Sequence, residues 1–211
     1  MSGVLEHLIH KYPELQVCHS DIEDALNRIK SSYEGGGKLL CCGNGGSAAD
    51  SEHIVGELMK GFMSKRPLPR SERELLEAAC PGEGSWLAER LQGALPAVSL
   101  VAATSLWTAY ANDVDPDMVF AQQVYGLGNR GDVLFGISTS GNSKNVIRAL
   151  QVARAKGLTT IGLTGRSGGK MAGICDVTIR VPWDSTPDIQ ERHLPIYHAM
   201  CIELEEAFFP S

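Results

Sequence analysis

Short apolar runs alternate along this chain with longer segments of helical period. The runs are "KLLCCG", "AVSLVA", "GDVLFGIS", "TTIGLTG" and "DVTIRVP". Continuous apolar runs this short, bounded by turn residues, fit strands buried on both faces of a parallel sheet. Helical patterns lie between them. One runs from Ser47 to about Phe62, one ends near "AYAND", and one covers 117–128. "NSKNVIRALQVARAKG" is a further helix, closed by Gly157, where left-handed geometry is cheap. A long final helix covers 188–208. Five strands separated by helices predict an α/β fold, a doubly wound five-stranded parallel sheet flanked by helices.

Two regions stand outside this alternation. Residues 3–34 read as helical, with Ser20 as a candidate N-cap and Ile22, Leu26 and Ile29 on one face, stopping at Gly35-Gly36-Gly37. "SKRPLPRSERELLEAACPGEGSWLAERLQGALP" holds four of the ten prolines. Two short amphipathic helices fit it, near 71–79 and 84–93. This segment reads equally as a flap, an interface element or a surface excursion. The expected organisation is a single domain with a helical part at 1–36 and an inserted segment at 64–95.

Composition narrows the class. The 211 residues suffice for a full core, and the net charge is −6. No run of Lys and Arg stands out, which argues against direct nucleic-acid binding. An anionic small ligand remains open, because backbone N–H groups and hydroxyls hold phosphate without a large positive field. No apolar run reaches the roughly 18 residues of a membrane span, and "MSGVLEHLIHKYPELQ" does not resemble a secretory signal. The six cysteines include no CxxC pair and read as reduced thiols of a cytoplasmic protein.

Candidate chemistry gathers at strand ends, where open parallel sheets bind ligands. The first is Gly43-Asn44-Gly45-Gly46-Ser47, whose glycines allow close backbone approach before a helix N-terminus. It matches neither GxGxxG nor the P-loop pattern, which disfavours a dinucleotide or nucleoside triphosphate. The second is "ISTSGNS", where Ser138, Thr139, Ser140 and Ser143 surround Gly141. Four hydroxyls can wrap a phosphate, whereas N-capping needs only one. The third, "LTGRSGG", reads equally as a plain turn.

His53 and Glu57 are four apart on one predicted helix, so they share a face. Such a pair can hold a metal or set up a general base, and it is also an ordinary solvated contact. The last helix carries Gln190 and His198, eight apart and roughly co-facial, with His193 on a different face. His7, His10 and His19 show no partner pattern. Asn112 and Asp113, at a helix end, can meet sugar hydroxyls or close the helix.

"CGNGGSAADSEHIVGEL", "AND", "ISTSGNS" and "IQERH…H", in this order, resemble the phosphosugar-isomerase (SIS) domain, and more narrowly the phosphoheptose isomerases. The resemblance covers nearly the whole chain except about 64–95. It implies a flavodoxin-like three-layer SIS fold and a homotetramer with active sites between subunits. It implies conversion of sedoheptulose 7-phosphate to glycero-manno-heptose 7-phosphate, the first step toward nucleotide-activated heptose. It further implies substrate contacts from Asn44, Gly45, Gly46, Ser47, Asn112, Asp113 and Gln190, with the phosphate held by Ser138, Thr139, Ser140 and Ser143. His53, Glu57, Gln190 and His198 match the family's zinc positions, one ion per subunit, with Glu57 and His198 as the acid–base pair. The last helix of another subunit is expected to complete the site. The rival readings are a tetrameric adaptor for a replication initiator and a sugar-phosphate sensor. The adaptor branch lacks the counterparts of Glu57 and His198, and a sensor keeps the phosphate loops without that pair.

Overall fold

A computed structural model describes residues 3–210. The five apolar runs are strands: β1 (Leu39–Cys42), β2 (Ala97–Ser99), β3 (Val133–Ile137), β4 (Thr159–Thr164) and β5 (Val177–Arg180). They form one parallel sheet in the order β2-β1-β3-β4-β5. Alternate residues face opposite layers, as the pleat requires. Leu39, Cys41, Val133 and Phe135 join one apolar core, and Leu40, Cys42 and Leu134 join the other. The first core is covered by α1 (Gly3–Lys11), α2 (His19–Glu34), α3 (Gly46–Met59) and α9 (Thr186–Phe208). The second is covered by α7 (Val119–Leu127) and α8 (Lys144–Lys156). The chain leaves β1 for β2 on one side and then crosses to β3 on the other. The β1 and β3 ends therefore flank the switch point where such sheets open a crevice.

Several boundaries differ from expectation for identifiable reasons. Ser20 is not an N-cap: a 3-10 turn at Pro13–Cys18 runs straight into α2, and the cap position, Cys18, makes no side-chain cap bond. The helix expected to reach Phe62 stops at Met59. Glu205 takes the N–H groups of Phe62, Met63 and Ser64 at 2.8, 2.7 and 3.1 Å, which pulls that stretch out of the helix. Gly157 closes α8 with φ 78°, as expected.

The 64–95 segment holds two helices, α4 (Arg70–Ala79) and α5 (Gly84–Arg90), with α6 (Thr104–Asp113) following β2. Gly84 packs flush on the backbone of Leu76 and Glu77, where a Cβ would collide. The two ends of the hairpin meet. Pro67 bridges Gln92, the Gly93 N–H donates to the Arg66 carbonyl at 2.8 Å, and the Gln92 side chain accepts from the Gly61 N–H at 2.9 Å. α4 buries no residue. The segment thus packs on itself, and its far end returns beside the end of α3, where the Leu95 N–H donates to the Leu58 carbonyl at 3.0 Å.

His193 of α9 is fully buried, and neither ring nitrogen reaches a partner in hydrogen-bond geometry. Burial pushes its pKa down to about 4, against a small opposing effect of the Thr164 backbone. Below pH 6.5 the unfolded chain therefore binds a proton that the folded chain refuses. Stability should fall as pH drops from 6.5 to about 4, by about 3 kcal/mol from this residue. Denaturant unfolding across that range is expected to show this slope, and to lose that share of it in His193→Leu.

Candidate active site

The crevice begins where β1 turns into α3. Gly43 packs against Ser47, whose carbonyl would lie 2.5 Å from a Cβ there. Gly45 has φ 57° and ψ −122°, a backbone region that only glycine enters readily. The turn leaves Asn44, Gly45 and Gly46 exposed and Ser47 buried. Asn44 and Asn145 exchange two amide hydrogen bonds, each 2.9 Å, which tie this turn to the first turn of α8.

Across the switch point lies the serine-rich loop after β3. Ser143 occupies the N-cap position of α8 but makes no cap bond. Its hydroxyl instead meets that of buried Ser138 at 2.9 Å. Simple capping therefore does not account for the cluster. Ser140 is exposed and accepts from the Asn142 N–H at 3.2 Å. The "LTGRSGG" turn supports this loop from behind. Its Gly165 N–H donates to Thr139, and the Met171 N–H just beyond it donates to Gly141. Gly141 has φ 64°, and a Cβ on it would collide with Gly168.

The acid–base candidates meet where α9 crosses α3. His53 Nε2 is 3.3 Å from Glu57 Oε1 and 3.5 Å from His198 Nε2. The meeting occurs within one chain, so the expectation that another subunit must supply this half is corrected: α9 folds back onto α3 of its own chain. Phe62 lies beside His198, with ring centroids 5.4 Å apart. Lys60 Nζ reaches Glu57 Oε2 at 2.6 Å. The Gln190 amide stands against Gly46, where a Cβ would collide with it. Asn112 and Asp113 are not gathered here; among the described residues their side chains bond only each other, at 2.9 Å.

Tyr197 and Asp50 extend the cluster inward and were not singled out in the sequence. The Tyr197 hydroxyl donates to Asp50 Oδ1 at 3.2 Å and lies 3.0 Å from His53 Nδ1. Burial and the Asp50 charge push the phenol far up, so it stays a donor. A hydroxyl that gives its one proton to Asp50 can only accept from His53 Nδ1–H. His53 Nε2 is then a bare electron pair aimed at Glu57 and His198. Burial first, then repulsion from His53 whenever that ring is protonated, lowers the pKa of His198, against an opposing effect of Glu57. His198 therefore favours its neutral form. The signal for Asp50 was its place three residues before His53, on the same helix face.

This donor set suits a small cation. Ligand atoms around a tetrahedral zinc lie about 3.3–3.4 Å apart, given bonds of about 2.0–2.1 Å. The His53–Glu57 and His53–His198 separations match two such edges. Among the described residues no group of three or more His, Cys, Asp or Glu side chains is placed to hold a metal ion, so the two matched edges are a partial site. Gln190, the fourth residue of the expected set, stands at the head of α9 against Gly46, about two helical turns from the histidines.

The strand order and the two loops at the switch point define the class: the chain belongs to the SIS-domain family, whose profile matches residues 14–98 and 87–165. More narrowly, it belongs to the phosphoheptose isomerases. It is 42% identical over 190 residues to the phosphoheptose isomerase of Rhodospirillum rubrum, covering 90% of this chain and 87% of that one. The solved phosphoheptose isomerase of Neisseria gonorrhoeae is 36% identical with TM-score 0.72, covering 94% of each chain. That of Francisella tularensis is 31% identical with TM-score 0.76, covering 95% of this chain and 94% of the other.

The Asp50–Tyr197–His53 chain predicts one tautomer. In metal-free protein, nitrogen-15 NMR should show His53 protonated at Nδ1, and Tyr197→Phe should give a mixture of tautomers. A wild-type His53 carrying its proton on Nε2 would contradict the assignment.

Proposed function

We propose that the chain is an aldose–ketose isomerase that converts D-sedoheptulose 7-phosphate to D-glycero-D-manno-heptose 7-phosphate. The observation that carries this reading is the meeting of Glu57 and His198 beside His53, on the helix that starts at the crevice next to a hydroxyl-rich loop. The phosphoheptose isomerase relatives support the substrate. This activity is the first step toward nucleotide-activated heptose. The adaptor and sensor readings do not account for a Glu57–His53–His198 cluster between α3 and α9.

The chemistry moves one proton between neighbouring carbons through an enediolate. Glu57 removes a proton from C1 while the C2 carbonyl oxygen gains negative charge and then a proton. His198, neutral and therefore able to exchange protons with oxygen, serves the hydroxyl protons. The proton returns to C2 as the C1 oxygen becomes the carbonyl. Lys60 holds the Glu57 carboxylate by an ion pair. Ser138, Thr139, Ser140 and Ser143 hold the phosphate with neutral donors. The exposed turn Asn44-Gly45-Gly46, with Ser47 beneath it and Gln190 beside it, positions the sugar. His53, Glu57, Gln190 and His198 would hold one zinc ion per subunit. Bound there, zinc would polarise the substrate carbonyl as a Lewis acid.

The assembly proposed is a homotetramer. Asn112 and Asp113 are exposed at the end of α6, beside exposed Val114, and Tyr125 and Leu127 are exposed on α7. These support a site completed by α6 of a neighbouring copy. No helix among the described residues is long and apolar enough to cross a membrane. A cytoplasmic location fits the thiol usage.

Steady-state assay of zinc-supplemented protein on sedoheptulose 7-phosphate tests this. Wild type should turn over, and Glu57→Gln should lose about 10²–10⁴-fold in kcat. Metal analysis should find about one zinc per chain, and less in His53→Ala. A zinc-loaded wild type that leaves the substrate unchanged would contradict the proposal.

A further inference from the structure

The 60–66 turn that follows α3 supplies one half of a buried charge pair, with Glu205 of α9, that the chemistry above does not use. The Arg66 side chain is fully buried and Glu205 of α9 nearly so. Arg66 is also the one non-glycine residue with positive φ, 44°, among those described. Left-handed backbone at a bulky residue is disfavoured and is held only where the surroundings over-determine it. Here three contacts hold it. Arg66 Nε donates to Glu205 Oε1 at 2.7 Å, one terminal nitrogen to the Leu58 carbonyl at 2.7 Å, and the other to the Glu57 carbonyl at 3.1 Å.

Those two carbonyls belong to the last turn of α3, which has no further helical N–H to bond. The guanidinium thus closes the turn that carries the Glu57 carboxylate. Glu205 accepts from Phe62, Met63 and Ser64 as well as from Arg66. Burial acts to raise its pKa, but the N–H donors of Phe62 and Met63, with Arg66, outweigh that and lower it, so the carboxylate stays charged. Glu205 lies seven residues after His198, two helical turns on, hence on the same face of α9. Phe62, held by Glu205, places its ring against His198. The Arg66 guanidinium in turn lies 4.8 Å over the Phe209 ring at the end of α9.

We propose that Arg66 and Glu205 are positioning residues: the pair sets the distance between Glu57 on α3 and His198 on α9. The inference rests on the isomerase reading for its kinetic consequence, but not for its structural one. Arginine is required because only a planar fork offers three donors in fixed directions; a lysine ammonium supplies the charge without that geometry. A misplacement of about 1 Å in an acid–base pair can cost about 10²-fold in rate.

The test compares Arg66→Lys with Lys38→Met. Lys38 forms a 2.5 Å ion pair with Asp132 at the opposite end of the sheet and touches nothing in the site. Arg66→Lys should fold, keep KM within about threefold, and lose at least tenfold in kcat. Lys38→Met should lose thermal stability and keep kcat. In metal-free protein the His53 and His198 ring resonances should move in Arg66→Lys and not in Lys38→Met, a readout that stands even if wild type fails on sedoheptulose 7-phosphate. Such a failure would sink the substrate assignment alone. If Arg66→Lys does not fold, Arg66→Met/Glu205→Gln, which leaves no lone buried charge, takes its place with the same expectation. Unchanged kcat and unmoved histidine resonances in the folded variant would overturn the proposal. So would a failure of both variants to fold, which would assign the pair to stability alone.

Discussion

Helix α9 lies across α3 with Tyr197 buried between them, and the rest of the site depends on that crossing. The tyrosine hydroxyl ties His53 to Asp50 within α3 while its ring belongs to the core. Toward the C-terminal ends of the two helices, Arg66 and Glu205 make the second polar tie. Buried hydrogen-bonded groups of this kind are expensive to leave unpaired, so the two ties fix one arrangement of the helices. Sheet order then does the remainder. Because β1 and β3 are neighbours, the turn that starts α3 opens beside the serine-rich loop that starts α8.

The same packing sets the chemistry. A half-buried cluster of two imidazoles and a carboxylate cannot keep all its electron pairs facing one another without a proton or a cation among them. His53 is committed to its Nδ1–H form by Tyr197, which sharpens the demand. Burial favours neutral His198, and Lys60 offsets the Glu57 charge from the solvent side. The site is therefore arranged to accept positive charge, the property needed beside a developing enediolate.

Much of this was legible in the sequence. The three inner strands announced themselves because burial on both faces leaves no polar alternation to blur them, while the edge strands β2 and β5 are only partly buried. Helical spacing put His53 and Glu57 on one face and Gln190 and His198 roughly on another, the resemblance made them site candidates, and the glycines of 43–46 were marked by the turn they permit. What stayed hidden is long-range. Arg66 and Glu205 are 139 residues apart, and Tyr197 and Asp50 147 apart, and no local pattern marks either pair. The early stop of α3 has the same origin, since Glu205 takes the N–H groups that would have continued it. Ser20 was misread because the preceding 3-10 turn already feeds the helix. Asn112 and Asp113, expected from the resemblance to meet substrate, bond each other and are not gathered with the other candidates in one chain.

The most direct measurement of the central claim is NMR of the product formed from sedoheptulose 7-phosphate in deuterated water. Proton transfer through Glu57 by way of an enediolate predicts solvent deuterium at C2 of the aldose, formed by wild type. Product carrying only the original protium at C2, with none from solvent in it or in recovered substrate, would point to direct hydride transfer and contradict the account.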